Sequence, residues 1–145
     1  MRTIKVLLPV LMILFVVASC SKEKRIERHL HKGDGKWNIT EERSESYVNG
    51  TLDEVEVYPN AGSMTFDKKG SIIYTQTYEP GQEDSYGGTW TNTKDEITLI
   101  VDSEVLIFKI KEESRKEMVL EYNESYTNFE GDTEKYVMTL KLEKA

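Results

Sequence analysis

The hydrophobic rhythm of the chain changes twice. Val6–Val17 is a nearly unbroken apolar run, interrupted only by Pro9 and led by the basic Arg2 and Lys5. Ser21–Asp34 is then densely charged, and its large apolar residues are Ile26 and Leu30. That four-residue spacing puts both on one helical stripe, with Gly33 and Gly35 to end the helix. A solvated linker fits the same composition. From Gly35 onward the period drops to two, the signature of strands.

Lys36–Val48 opens with Trp37 and Ile39, and Asn49-Gly50 marks a tight turn. Leu52, Val55 and Val57 follow in a less regular extended stretch to Pro59, and Ser63–Phe66 sets Met64 and Phe66 on one face. Asp67-Lys68-Lys69-Gly70 turns into Ser71–Tyr78, and Pro80-Gly81 through Gly87-Gly88 reads as a loop. Thr89–Asn92 and Ile97–Asp102 form a hairpin around Thr93-Lys94-Asp95. Val105–Lys111 carries Leu106, Phe108 and Ile110 at period two, and Glu112–Lys116 turns into Met118–Tyr126. Lys135–Lys144 closes the chain with Tyr136, Met138, Leu140 and Leu142. The expected fold is all-β: an eight-stranded antiparallel up-and-down barrel after an N-terminal leader and a short helical tether. Closure removes the two edges that a flat sheet would expose.

The expected inner faces carry Trp37, Phe66, Tyr74, Trp90, Phe108, Tyr122 and Tyr136 beside Ile39, Ile97, Leu99, Leu106, Ile110, Met118, Leu120, Met138 and Leu140. Eight strands enclose room for side chains or for one small ligand. Residues this bulky fill the lower lumen and disfavour a deep, lipid-sized calyx.

The first apolar run is about 18 Å long as a helix, against a bilayer core of about 30 Å. Basic lead, short apolar run and small residues make the layout of a secretory signal. Val17-Ala18-Ser19-Cys20 resembles the lipobox cut by lipoprotein signal peptidase. The resemblance implies a signal peptide at 1–19, acyl groups such as palmitate on Cys20, a tether at 20–34 and a barrel domain at 35–145. It also implies a cell-envelope address. Ser21 stands where an aspartate retains many lipoproteins at the inner membrane, which favours the outer one. Lys and Arg side chains of the tether would then face an anionic membrane surface. Cys20 is the only cysteine, so no disulfide forms within the chain.

Composition narrows the function. The chain carries 19 Lys+Arg against 26 Asp+Glu, a formal charge of −7 that repels nucleic acid phosphates. Both histidines, His29 and His31, precede the domain, so its body lacks the base that a nucleophile needs. Adjacent acids such as Glu83-Asp84 read as solvated charge rather than a glycosidase pair. His29-x-His31 has no third ligand for zinc, and no Asp-x-Asp-x-Asp-Gly loop exists for calcium. A non-enzyme without cofactor or metal is expected.

Gly35-Lys36-Trp37 on the first strand after a short helix resembles the G-x-W signature of lipocalins. Met64-Thr-Phe-Asp-Lys-Lys-Gly-Ser, then Gly88-Thr-Trp-Thr before Glu96-Ile-Thr-Leu, is similar to lipocalin-like domain lipoproteins of Gram-negative envelopes. The resemblance covers Gly35 to the C-terminus. It implies a barrel whose closing core includes Trp37 and Trp90, and ligand binding at the open end. The Thr-Asp-Tyr turn is missing, and so is the last-strand arginine that stacks over the tryptophan. Lys141 and Lys144 are the cations available for that place.

In an up-and-down barrel the connections alternate between two ends. The tether end receives the turns at Asp67–Gly70, Asn92–Asp95 and Glu112–Lys116, while the far end receives Val48–Gly62, Glu79–Gly87, Asp102–Glu104 and Tyr126–Glu134. The far end and its approaches gather Glu45, Asp53, Glu54, Glu56, Glu79, Glu83, Asp84, Asp102, Glu104, Glu121, Glu124, Glu130, Asp132 and Glu134, opposed by Lys135. An acidic mouth above a basic or neutral foot is expected, with Tyr47, Tyr58, Tyr78, Tyr86 and Tyr126 at the mouth. Glu41, Arg43 and Glu45 share the parity of Trp37 and Ile39 and point inward unless a bulge turns them out. Tyr74, Gln76 and Tyr78, and likewise Tyr122, Glu124 and Tyr126, continue inner faces toward the same mouth. Glu41, Arg43, Tyr74, Gln76, Tyr78, Tyr122 and Tyr126 are therefore the candidate binding residues, suited to a small polar or sugar-like ligand. The alternative is a plugged barrel whose acidic, tyrosine-bearing loops dock an envelope protein.

Overall fold

The computed structural model describes residues 21–145, so the expected leader and the expected lipidation of Cys20 lie outside the described residues. Eight strands follow one helix. They are β1 (Lys36–Val48), β2 (Thr51–Phe66), β3 (Ser71–Glu79), β4 (Gln82–Asn92), β5 (Glu96–Val101), β6 (Glu104–Glu113), β7 (Glu117–Thr127) and β8 (Thr133–Lys144). Each pairs antiparallel with its neighbours in sequence, and β1 also pairs with β8, closing the barrel.

The helix α1 (residues 21–31) lies across the tether end. Ile26 and Leu30 are 0% and 1% exposed and belong to the same core as the barrel interior. Its charged face makes contacts of its own, with Lys22 3.3 Å from Asp95 and Arg25 3.1 Å from Glu113. The stripe of Ile26 and Leu30 thus makes α1 a plug. No described helix is long and apolar enough to cross a membrane.

Below the mouth the barrel is solid. Trp37, Phe66, Phe108, Met64, Met118, Leu99 and Leu120 are almost wholly buried, packed with Ile39, Ile72, Ile97, Leu140 and Leu142. Both tryptophans use the indole nitrogen to tie the wall to something else. Trp37 Nε1 donates to the Leu30 carbonyl at 3.0 Å, and Trp90 Nε1 donates to the Asp67 carbonyl at 2.9 Å. Phe66 meets Trp90 edge-on at 5.4 Å. Lys144 holds its ammonium 4.7 Å over the Trp37 ring and donates to the Leu30 carbonyl at 3.2 Å, filling the place expected for Lys141 or Lys144. Gly35 has φ +71, and a Cβ there would sit 1.9 Å from the Phe66 carbonyl oxygen, so this glycine of the Gly-Lys-Trp motif is sterically required.

The turns alternate between the ends as expected, but the upper strands are longer than their sequence suggests. Thr51–Phe66 is one continuous strand, so the loop expected over Val48–Gly62 shrinks to Asn49-Gly50, with φ of 50° and 80°. The loop expected from Pro80 to Gly88 is a tight turn at Pro80-Gly81 followed by β4. Both stretches stand above the filled core. Both faces there meet water, exposing even Leu52, Val55 and Val57 on β2, and β4 from Gln82 to Gly87 has no apolar alternation, so neither stretch shows the wet and dry faces of a core strand.

Upper pairing is incomplete. β2 pairs with β3 only from Gly62↔Gln76 downward, β4 with β5 only from Gly88↔Val101, and β6 with β7 only from Lys109↔Glu121. Asn60 at φ 52 and Gly62 at φ 144 bend β2 where it parts from β3. The mouth therefore has two jaws, a sheet of β7, β8, β1 and β2 facing a ribbon of β3 and β4.

Candidate functional site

The lining of the mouth is set by a bulge on β1. Ile39 pairs with Leu142 and Glu41 with Lys141, which leaves Thr40 as an extra residue whose hydroxyl donates to the Lys141 carbonyl at 3.2 Å. One extra residue reverses the facing of every side chain beyond it. Ser44 is buried at 8% exposure, and Glu42, Ser44 and Ser46 lie opposite Leu140, Met138 and Tyr136 on the inner face of β8. Directly paired residues share a face, so these three point into the lumen. The inward placement expected for Glu41 and Arg43 is thus corrected. Glu41 pairs with Lys141 at 2.8 Å, and Arg43 with Glu45 at 3.4 Å, on the outer wall. Solvation favours this register, because it leaves the guanidinium in water and turns serines inward.

The other walls follow the expected parity. On β3, Tyr74 is buried and Gln76 half-buried, and their partners on β4 are Tyr86 and Asp84. The Gln76 side chain joins two phenols. Its Nε2 donates to the Tyr74 hydroxyl at 3.2 Å, and its Oε1 accepts from the Tyr78 hydroxyl at 3.0 Å. Across the lumen the Ser44 and Tyr136 hydroxyls are 2.9 Å apart. Two cavities meet at Gln76. One, of about 400 Å³, is lined by Tyr74, Tyr86, Val101, Asp102, Glu104, Leu106 and Met138 as well. The other, of about 340 Å³, adds Glu42, Ser44, Glu56, Tyr58, Ala61, Thr77, Tyr78 and Tyr136, and opens at the seam between β2 and β3. Neither has a Lys or Arg in its wall.

Burial and a neighbouring hydroxyl raise two of these phenols. Burial pushes the Tyr74 phenol up to about 12, an effect that the Gln76 hydrogen bond partly offsets. The Tyr78 hydroxyl, then burial, takes Tyr86 to about 12. Burial raises the Glu42 carboxyl above its ordinary range. The site presents phenols, an amide and acidic side chains. It can donate and accept hydrogen bonds and attract positive charge.

Of the expected binding residues, Tyr74, Gln76 and Tyr78 line the cavities together. Tyr122 packs against Phe108 with ring centroids 5.9 Å apart and closes the core beneath them. Burial, then the Glu124 carboxylate, raises its phenol. Tyr126 lies higher, paired with Glu134 and hydrogen-bonded to its carboxylate, and lines neither cavity. Glu42 and Ser44 are missed by parity alone, because nothing in the sequence announces the Thr40 bulge. Tyr136 stands on the inner face expected for it, whereas Tyr86 and Glu104 fall in stretches expected as loops that the structure makes parts of β4 and β6. Of the acids expected at the mouth, Glu45 and Glu121 pair with Arg43 and Lys111 along the walls. Among the described residues, no group of three or more His, Cys, Asp or Glu is placed to hold a metal ion.

No family model matches the chain, and no curated protein matches it. The chain is a closed eight-stranded antiparallel up-and-down barrel with a helical plug and an open polar mouth. Solved structures similar to it include a lipocalin-like protein from Bacteroides uniformis, at 15% identity and a TM-score of 0.47, covering 76% of this chain and 96% of that one. An uncharacterized protein from Bacteroides eggerthii shares 20% identity at a TM-score of 0.43, covering 72% of this chain and 96% of its own. A redesigned β barrel shares 14% at 0.45, covering 83% and 96%.

Proposed function

We propose that this chain is a lipid-anchored, non-catalytic protein of the cell envelope that binds one small polar molecule, neutral or positively charged, in the upper lumen. Gln76 carries the reading. It stands in the wall of both cavities with its amide committed to Tyr74 and Tyr78, a preset pair of hydrogen-bonding phenols beside carboxylates that lack a cation. Sites of about 300 Å³ and above with a few placed polar groups suit small ligands. The lining offers no nucleophile with an adjacent base, which supports binding over catalysis. Anchoring and outer-membrane address rest on Val17-Ala18-Ser19-Cys20 and Ser21.

Native mass spectrometry of the full-length protein, released in detergent from its own host's membranes, tests both halves. The expected spectrum shows acyl groups on Cys20 and one small adduct that disappears in Gln76→Ala. An unmodified Cys20 overturns the anchor. A protein free of adduct, whose melting temperature moves with none of a panel of neutral saccharides and organic amines, overturns the binding reading.

One observation favours a second reading, in which the mouth docks an envelope protein. Above Gly62 the edge of β2 faces no strand and exposes Leu52, Val55 and Val57, and Phe129 is fully exposed at the tip of the β7–β8 hairpin. An unpaired edge accepts an added strand. Crosslinking from Val57 in intact cells to one stoichiometric protein, with no adduct in the spectrum, would select this reading.

A further inference from the structure

We infer that the tether end of the molecule carries a phosphate-binding cleft, separate from the mouth. A cleft of about 480 Å³ is lined by Arg25, Arg28, His29, His31, Lys32 and Arg115, with no carboxylate among them. The chain as a whole is acidic, at a formal −7, so this is a local inversion of charge.

The pairing of these groups is uneven. Arg25 and His29 both engage the Glu113 carboxylate. Arg28 spends only Nε, on the Lys24 carbonyl at 3.3 Å. His31, Lys32 and Arg115 make no ion pair among the described residues, whereas Lys111 and Lys141 on the barrel wall each hold a glutamate. Cations near a helix C-terminus also complement the helix dipole, which accounts for Arg28 and Lys32 in part. It does not account for Arg115, which the turn between β6 and β7 brings in from another element. With Glu113 already engaged by Arg25 and His29, the like charges of Arg28, Lys32 and Arg115, gathered from two elements, cost free energy until an anion joins them. Guanidinium groups match the oxygens of phosphate in shape and charge, and two arginines from different elements can hold one phosphate between them.

The chemistry recognised is a phosphate mono- or diester. It can come from an anionic lipid headgroup or from a soluble phosphate. The cleft is built on α1, which is described from residue 21, directly after the expected acylation site, so headgroup phosphates would lie within reach of an anchored molecule.

Residues 21–145, whose barrel and helix share one core, are mixed with vesicles of phosphatidylcholine alone or with phosphatidylglycerol added, at low salt. Inorganic phosphate and glycerol 3-phosphate are titrated separately by NMR. Arg28→Gln/Arg115→Gln is compared with Lys109→Gln/Lys135→Gln, which removes equal charge elsewhere. The expected result is binding to the phosphatidylglycerol vesicles that falls about thirty-fold in the arginine pair and little in the lysine pair, on the usual scale of attraction per basic residue near an anionic leaflet. Arginine-sensitive binding of vesicles alone assigns the lipid as the source, and arginine-sensitive binding of the soluble phosphates alone assigns the free ester. Absence of both, or equal loss in the two double variants, overturns the cleft.

Discussion

The Leu30 carbonyl accepts two hydrogen bonds, from the Trp37 indole at 3.0 Å and from the Lys144 ammonium at 3.2 Å. Those bonds satisfy an end of α1 that would otherwise be buried without partners, and the ammonium gains the face of Trp37 as well. Lys144→Met keeps the stem and loses both contacts. It should lower stability by about 1–2 kcal/mol, read as an earlier urea midpoint with an unchanged slope. Glu42 works the other way. Burial raises its carboxyl in the folded state above its unfolded value, so the fold favours the protonated form. The stability this supplies is whole below the ordinary carboxyl range and is lost as pH rises through the raised value. Glu42→Gln should therefore gain on the parent protein between mildly acidic and neutral pH and match it more nearly at low pH, in melting temperatures followed across that range.

At the scale of elements, α1 and the Thr40 bulge decide more than their length suggests. The lower barrel is stoppered by Ile26 and Leu30, so the helix and the strands share one core. Leu30→Ala opens a cavity against Trp37 and should cost about 2–5 kcal/mol, with helix signal and near-ultraviolet tryptophan signal lost in a single thermal transition. Two separate transitions would mean that the helix is only an appendage. The bulge decides chemistry. By keeping Arg43 on the outer wall it leaves the walls of the two cavities without a Lys or Arg, which is the basis for the neutral or positively charged ligand proposed above.

The whole molecule has two levels of cohesion. Below Gly62, Gly88 and Lys109 every strand has two partners, and the interior is filled with apolar side chains. Above that line the jaws are held by fewer ladders around a polar space. Amides free of a partner strand exchange through small openings, whereas those in a closed core exchange only with larger unfolding. Hydrogen exchange should therefore be fast along the free edge at Thr51–Val57 and slow at Trp37, Phe108 and Leu140. A saturating mouth ligand should slow the Tyr74–Tyr86 ribbon and leave the lower barrel unchanged. Uniform protection from base to rim would contradict the two-level description. The phosphate cleft and the mouth lie at opposite ends, so one molecule has room for an anionic surface at its foot and a polar ligand at its rim.

The lower barrel was legible because each strand there has one wet and one dry face. Trp37, Phe66, Trp90, Phe108 and Leu140 declare the dry one at a period of two, and turns such as Asn49-Gly50 and Asp67–Gly70 have chemistry of their own. The sequence by itself determined the eight strands, the filled base and the ends to which the turns belong, and left a helix and a solvated linker both open for Ser21–Asp34 until the buried Ile26 and Leu30 decided for the helix. Tertiary structure decided where apolar alternation stops carrying information. It extended β2 and β4 into the solvent, placed the extra residue at Thr40, turned Glu42 and Ser44 inward in place of Glu41 and Arg43, and brought Arg115 beside Arg28. A bulge and a meeting of distant turns are settled by cross-strand registry and solvation of the whole barrel, which no local pattern of residues encodes.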